Sequence, residues 1–177
     1  HKKIIKVIKQ RNSGVSHARN IGIKLSKGKY IILLDADDLL NPHFIKSGVR
    51  TLEAFTKLSF VNSWAILLNK TLDKVVNYHI SLFNDWNLMT DYNIAGTVTS
   101  IWRRDVLLSN SFHSRLSMFE DWQYYLRLGV KSMRGVSIPV LGVSYRVLEK
   151  SKVNNLLYDQ YLSELIKIIK SVIDNQD

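Results

Sequence analysis

The chain of 177 residues contains no cysteine, so disulfides and thiolate metal sites are excluded, a composition that fits a reducing cytoplasm. No apolar stretch approaches the ~20 residues that a membrane-spanning helix needs, and nothing near His1 reads as a signal peptide. The histidines at 17, 43, 79 and 113 form no H-x-H or H-x-x-x-H pair, which argues against a histidine metal site. There is no internal repeat and no low-complexity linker, so one domain is expected. At 46% hydrophobic residues, a chain of this length can bury roughly 70% of its unfolded surface. Acidic residues are the minority, 15 against 25 Lys and Arg, for a net charge of +10. That excess favours acidic partners such as nucleotide phosphates or anionic lipid headgroups, although a lysine-rich solubilising surface explains the same numbers. The basic residues are scattered and not clustered with aromatics, so nucleic acid is not an expected partner.

What the sequence does contain is a dense acidic cluster. Asp35-Ala36-Asp37-Asp38 follows directly on the apolar run Tyr30-Ile31-Ile32-Leu33-Leu34. Carboxylates this close repel one another unless a cation compensates them, and hard divalent ions prefer carboxylate oxygen. In an extended segment Asp35 and Asp37, two apart, project to the same side. Mg²⁺ and Mn²⁺ usually take only one or two protein carboxylates, the remaining positions going to water and phosphate oxygens. The pattern therefore points to a metal that carries phosphates. A polar turn capping the next helix is the plainer alternative. Asn41-Pro42 reads as N-cap and first helical residue, so Asp38 is assigned to turn chemistry.

The surrounding motifs are more specific than the aspartates alone. Asn12-Ser13-Gly14-Val15-Ser16-His17-Ala18-Arg19-Asn20-Ile21-Gly22 precedes them, then a Gly28-Lys29-Tyr30 turn, the apolar strand, D-A-D-D and Pro42. This ordered set resembles the family 2 inverting glycosyltransferases. Trp102-Arg103-Arg104, Phe119-Glu120-Asp121 and Tyr145-Arg146 resemble that family's later motifs in the same order, so the likeness covers most of residues 3 to 147. It implies a Rossmann-like, mostly parallel sheet flanked by helices, lacking the first βαβ unit, because the chain enters at once on the strand-like Lys3 to Ile8. A truncated chain of uncertain activity, or a non-catalytic module of the same fold, is the alternative expectation.

The resemblance also implies roles. A nucleotide-sugar donor would pass its sugar, with inversion, to a glycan or lipid-linked acceptor in cell-surface polysaccharide synthesis. Asp37 would ligate Mn²⁺ or Mg²⁺, and Asp35 would bind the ribose or support the metal. Arg19, Asn20, Asn12, Gly14 and Arg146 would contact the nucleotide or its phosphates, with Asn12 to Gly14 offering backbone N–H groups at a helix entry. Asp121 would be the base that accepts the acceptor hydroxyl's proton. Ser117 and Glu120 have the spacing of a capping box, which would make Glu120 structural.

Periodicity supplies the elements. Residues 15 to 26 read as a helix with Ala18, Ile21, Gly22 and Leu25 on its apolar side and Gly28 as its C-cap. Strands are expected at 29–34, 58–69, 74–80, 94–102, 135–138 and 142–147, and helices at 42–55 and 118–129. Residues 1–150 form the expected catalytic domain and 151–177 a C-terminal amphipathic helix. Lys167 and Lys170 border its apolar face, so peripheral contact with the inner face of a membrane, or oligomerisation, is an expectation for that helix.

Overall fold

In the computed structural model the described residues are 5–81, 97–114, 116, 118–147, 163, 166–170 and 172. In chain order the elements are α1 (Val15–Leu25), β1 (Tyr30–Ile32), β2 (Leu39–Leu40), α2 (Pro42–Ala54), β3 (Phe60–Leu68) and β4 (Val75–His79). They are followed by a 3₁₀ turn (Thr97–Thr99), β5 (Ser100–Arg103), α3 (Arg104–Ser109), α4 (Glu120–Val130) and β6 (Gly135–Arg146). The strands form one sheet of order β1-β5-β3-β6-β2, with β4 also paired to β3. The α/β class is the expected one. The pairing is mixed: β3 and β6 are parallel, while β5 lies antiparallel between β1 and β3, so that β1, β3 and β6 run the same way.

The alternation of side chains along the strands sorts the core onto two faces. Ile31, Phe60 and Trp102 stand in register across β1, β3 and β5, and with Leu33 they meet Trp122, Tyr124, Tyr125 and Leu128 of α4. Tyr30, Ile32, Val61 and Ile101 point the other way onto Phe44 and Leu52 of α2. Gly48 lets α2 approach this closely, since a Cβ there would lie 2.6 Å from the Ile101 side chain.

Local signals set most boundaries. Asn41 caps α2 as expected, its side chain accepting the His43 N–H at 2.9 Å with Pro42 in the first turn. The expected hairpin is present as β3 and β4, paired from Ala65↔His79 to Leu68↔Val75. Four expectations are corrected. Residues 5–8 carry no strand and are exposed. The C-cap of α1 is Ser26, not Gly28, and its N–H bonds the carbonyls of Gly22 and Ile23. Ser16 and Ile23 are the buried residues of α1, whereas Ala18, Gly22 and Leu25 are exposed. The two short strands expected near the C-terminal side are one strand, β6, whose pairing with β3 shifts register around Trp64. Residues 94–96, Ser117 and 151–162 lie outside the described residues. Ile168 of the C-terminal segment is buried in the same core cluster as Trp102, Leu107 and Tyr124.

Candidate active site

β1 stops at Ile32, and the chain folds over at the aspartates. The Asp38 N–H donates to the Asp35 carbonyl at 3.2 Å, with Ala36 and Asp37 at the crest of the turn. The extended geometry expected for Asp35 and Asp37 is therefore replaced by a turn. Asp37 is exposed, the Asp35 side chain is 41% exposed, and Asp38 is buried. Asp38 was expected to serve only the turn, yet it is the residue that ties the turn to the sheet. Its Oδ1 accepts the Arg146 N–H at 3.2 Å, and its Oδ2 is buried without a partner among the described residues. Burial is the main reason the Asp38 carboxyl is pushed up to about 6. The Arg146 N–H opposes that shift, and the charges of Asp37 and Asp35 reinforce it. Beyond the turn, β2 pairs with β6 at Leu39↔Ser144 and Leu40↔Val143, and the Asn41 N–H bonds the Gly142 carbonyl at 2.8 Å.

Arg19 joins this turn to the second acidic motif. Its Nη1 donates to Glu120 Oε1 at 2.7 Å, and its Nη2 reaches the Asp35 carboxylate at 3.3 and 3.4 Å. The guanidinium sits 5.7 Å over the Phe112 ring, and the Arg19 side chain is only 10% exposed. It was expected to meet nucleotide or phosphate; in this structure it meets two carboxylates. The neighbouring Asn20 is likewise engaged, its amide exchanging two 2.9 Å hydrogen bonds with the backbone N–H and carbonyl of Phe112. That bidentate clasp ties α1 to the loop between α3 and α4. Both residues explain why α1 turns a polar edge inward.

Asn12 and Gly14 form the entry to α1. The Gly14 N–H bonds Asn12 Oδ1 at 3.2 Å, and Gly14 is the N-cap with φ 88°, a conformation that favours glycine. No side chain caps this helix.

The start of α4 differs from the capping box expected. Phe119 is the N-cap, held in the left-handed region at φ 56°, and Glu120 is the first helical residue instead of the third. Glu120 is thus the partner of Arg19, and Ser117, its expected partner, lies outside the described residues. Asp121 follows, its Oδ1 accepting the Trp122 N–H at 2.7 Å. Tyr145 lies in β6, opposite Leu67 of β3. Burial raises its phenol, and the charges of Asp38, Asp35, Asp37 and Asp121 raise it further. Arg146 contributes its backbone to Asp38.

This gives a mixed α/β fold with an acidic site past the carboxyl end of β1, where Arg19 bridges the aspartate turn and the carboxylate-bearing start of α4. The carboxyl ends of strands are where open α/β sheets take their ligands. Residues 1–113 match the family model described as glycosyl transferase family 2, and the chain belongs to that family. It is 26% identical over 144 residues to the glycosyltransferase YwdF of Bacillus subtilis, covering 77% of this chain and 52% of YwdF. It is 30% identical over 69 residues to a Methanocaldococcus jannaschii glycosyltransferase, covering 39% of this chain and 24% of that one. The chain thus spans about half the length of YwdF and less of the other. Among solved structures, S. aureus TarS in complex with UDP-GlcNAc superposes with a TM-score of 0.65 at 17% identity, over 96% of this chain and 50% of TarS 1–349. The UDP complex of TarS gives 0.64 at 16% identity, over 93% of this chain and 46% of that one. These likenesses show the fold. No helix among the described residues is long and apolar enough to cross a membrane.

Proposed function

We propose that the whole protein transfers a sugar, with inversion, from a nucleotide-diphosphate sugar to a glycan or lipid-linked acceptor, in cell-surface polysaccharide synthesis. The observation that carries this reading is the bridge made by Arg19. By bonding Asp35 and Glu120 together, it brings the aspartate turn and the start of α4 to one cleft in a family 2 chain. The TarS complexes support a uridine nucleotide as the first donor to test.

The residues present suit a divalent ion, Mn²⁺ or Mg²⁺. Asp38 carries a buried carboxylate oxygen with no partner among the described residues, beside Asp35 and Asp37, so the turn holds negative charge that nothing in the described chain fully offsets. Among the described residues no three Asp, Glu, His or Cys gather as a closed cage. An ion here would rest on Asp37 and Asp35, and complete its shell with water and phosphate oxygens. When bound, it would supply charge neutralisation for the departing diphosphate.

The chain's own groups do the rest. Arg19, already committed to Glu120, holds Asp35 in place and sets the distance between turn and helix. Asp121, the second residue of α4, accepts the proton of the attacking hydroxyl. Tyr145 of β6, whose phenol the charges of Asp38, Asp35, Asp37 and Asp121 raise, adds a neutral hydroxyl on that side of the site. In this reading residues 1–150 are the catalytic unit, and the C-terminal helix packs on it through Ile168. Exposed Ile166 and Ile169 beside Lys167 and Lys170 support peripheral contact with anionic lipid.

Calorimetry of UDP with Mn²⁺ on the full-length protein tests the reading. Metal-dependent binding that disappears in Asp37→Ala, with the variant still folded, is the expected result. A flat response to uridine, guanosine and thymidine nucleotide sugars in the parent would leave the non-catalytic module as the better description.

A further inference from the structure

Directly beneath the aspartate turn the aromatic face of the sheet changes character. Phe60, Trp102 and Ile31 form one cross-strand row, and the next row toward the acidic cleft is Asn62 paired with Ser100. Both are wholly buried. The Asn62 side-chain oxygen, which can only accept, takes the Thr99 hydroxyl at 2.8 Å and the Ser100 hydroxyl at 2.7 Å. Ser100 has one proton and spends it on Asn62. In its 2.5 Å contact with the Tyr125 hydroxyl, Tyr125 is therefore the donor. On the other side the Asn62 amide N–H donates to Ser81 Oγ at 3.0 Å, and Ser81 Oγ shares a 2.8 Å bond with the Ser137 hydroxyl that either can donate. From the phenol on α4 through Ser100 and Asn62 to Ser81 the bonds run in one direction, and Ser81 joins the chain to β6.

Tyr125 is the outer end of this chain and the residue that reaches the proposed chemistry. It lies four residues after Asp121, on the same face of α4. Its ring packs against Phe60 and Trp102, each 5.3 Å away centroid to centroid, which themselves stand 4.5 Å apart. Burial raises the phenol well above its ordinary range, and the charges of Asp121 and Arg19 act on it, so it remains a neutral donor close to both. A phenylalanine would fill the same space without burying a hydroxyl, which is costly unless bonded. The bond therefore adds direction, which packing of a symmetric ring does not.

We propose that Tyr125, through Ser100 and Asn62, is a positioning residue that holds the first turn of α4, and with it Asp121, at a fixed angle to the aspartate turn. This rests on the reading of Asp121 as the base. Fixed alignment of a base is worth orders of magnitude in rate, so a small rotation of α4 is costly to turnover and nearly silent in donor binding.

The test uses the full-length protein, Mn²⁺, and UDP and UDP-sugars as probes. The variants are Tyr125→Phe, Ser100→Ala, the double variant, and Tyr124→Phe, whose buried hydroxyl has no partner among the described residues. Tyr125→Phe is expected to lower UDP release from UDP-sugars about tenfold while UDP affinity stays within about twofold. Amide exchange at residues 121–125 should quicken about tenfold, with the centres of β3 and β5 unchanged. The double variant should be no worse than the poorer single one, and Tyr124→Phe should move neither readout. Unchanged exchange at the start of α4, or quickening spread evenly over the sheet, overturns the proposal. A parent that releases no UDP sinks the function proposed above, and exchange still decides the role of Tyr125.

Discussion

Replacing Arg19 by methionine keeps most of the side chain's aliphatic volume and removes the charge that joins the aspartate turn to the start of α4. Its two limbs are unequal. The bond to Glu120 is 2.7 Å long and both side chains are nearly buried, 10% and 14% exposed. Removing one partner of a fully buried pair costs about 3–5 kcal/mol, because a charge is left without compensation. Glu120 keeps some contact with solvent, so about 2–3 kcal/mol is the appropriate figure. The limb to Asp35 is 3.3 Å long and its carboxylate is 41% exposed, which places it among pairs worth at most ~0.5–1 kcal/mol. Arg19→Met should therefore lower the melting temperature by roughly 4–16 °C, at ~2–4 °C per kcal/mol for a domain of this size. Most of that loss should return when Glu120→Gln is added. Urea unfolding of the parent, both single variants and the double variant gives the coupling directly. About 1.5 kcal/mol or more is expected for Arg19 with Glu120, and at most ~1 kcal/mol in the matching cycle of Arg19→Met with Asp35→Asn. Additivity of Arg19→Met and Glu120→Gln within about 0.5 kcal/mol would refute the bridge.

Further outcomes follow from the same geometry. Asp38, with a folded-state value of about 6 against 3.8 when unfolded, takes up its proton earlier in the folded protein, so stability in EDTA should fall as pH rises from about 4 to 6 and then level off. Asp38→Asn can still accept the Arg146 N–H; urea titrations across pH should show that slope removed, and an unchanged slope would mean that another group carries it. Asp121→Asn should reduce turnover by roughly two orders of magnitude with UDP affinity and melting temperature near the parent, as loss of a general base does. If Glu120→Gln proves the more damaging to turnover at a temperature where both variants are folded, the two roles exchange. Asn20→Ala removes both bonds to Phe112 and should cost about 1–3 kcal/mol in urea unfolding, because a backbone N–H and carbonyl lose their partner.

The elements that periodicity made legible are those whose burial is one-sided or complete. β3 is apolar without interruption over Trp64 to Leu68 and sits in the middle of the sheet, and α2 has both a cap and a proline to mark its start. α1 was legible as a helix, but its orientation was not. Its inner edge includes Arg19 and Asn20, whose burial depends on partners 92 and 101 residues away, and no local pattern reports that. The six-residue α3 was missed for a related reason. Arg104–Ser109 is too short for a period to show, and it is held by Val106 and Leu107 in the core and by Arg104, whose backbone N–H bonds the Lys29 carbonyl at 3.1 Å.

The site divides in the same way. A run of three aspartates is visible in any sequence, but which one turns inward depends on β6, since Asp38 is buried only because Arg146, 108 residues later, presents an N–H to it. The spacing of Ser117 and Glu120 suggested a cap, and the left-handed Phe119 moves the helix start past it, freeing Glu120 for Arg19. A better signal was present in the strands. Asn62-Ser63 interrupts an apolar run in β3, and Thr99-Ser100 precedes Ile101-Trp102 in β5. Small polar residues inside a buried strand must find hydrogen-bond partners there, and when two such interruptions pair, they mark a built network instead of a weak strand. Placed one row below the aspartate turn, that network gives α4 a polar anchor where an aromatic core alone would leave it free to slide. The acidic cleft is thus held by two different devices, the charged bridge of Arg19 from above and the neutral chain from Tyr125 to Asn62 from below. They respond differently to salt: about 1 M salt weakens the more exposed limb to Asp35 and leaves the buried neutral chain intact.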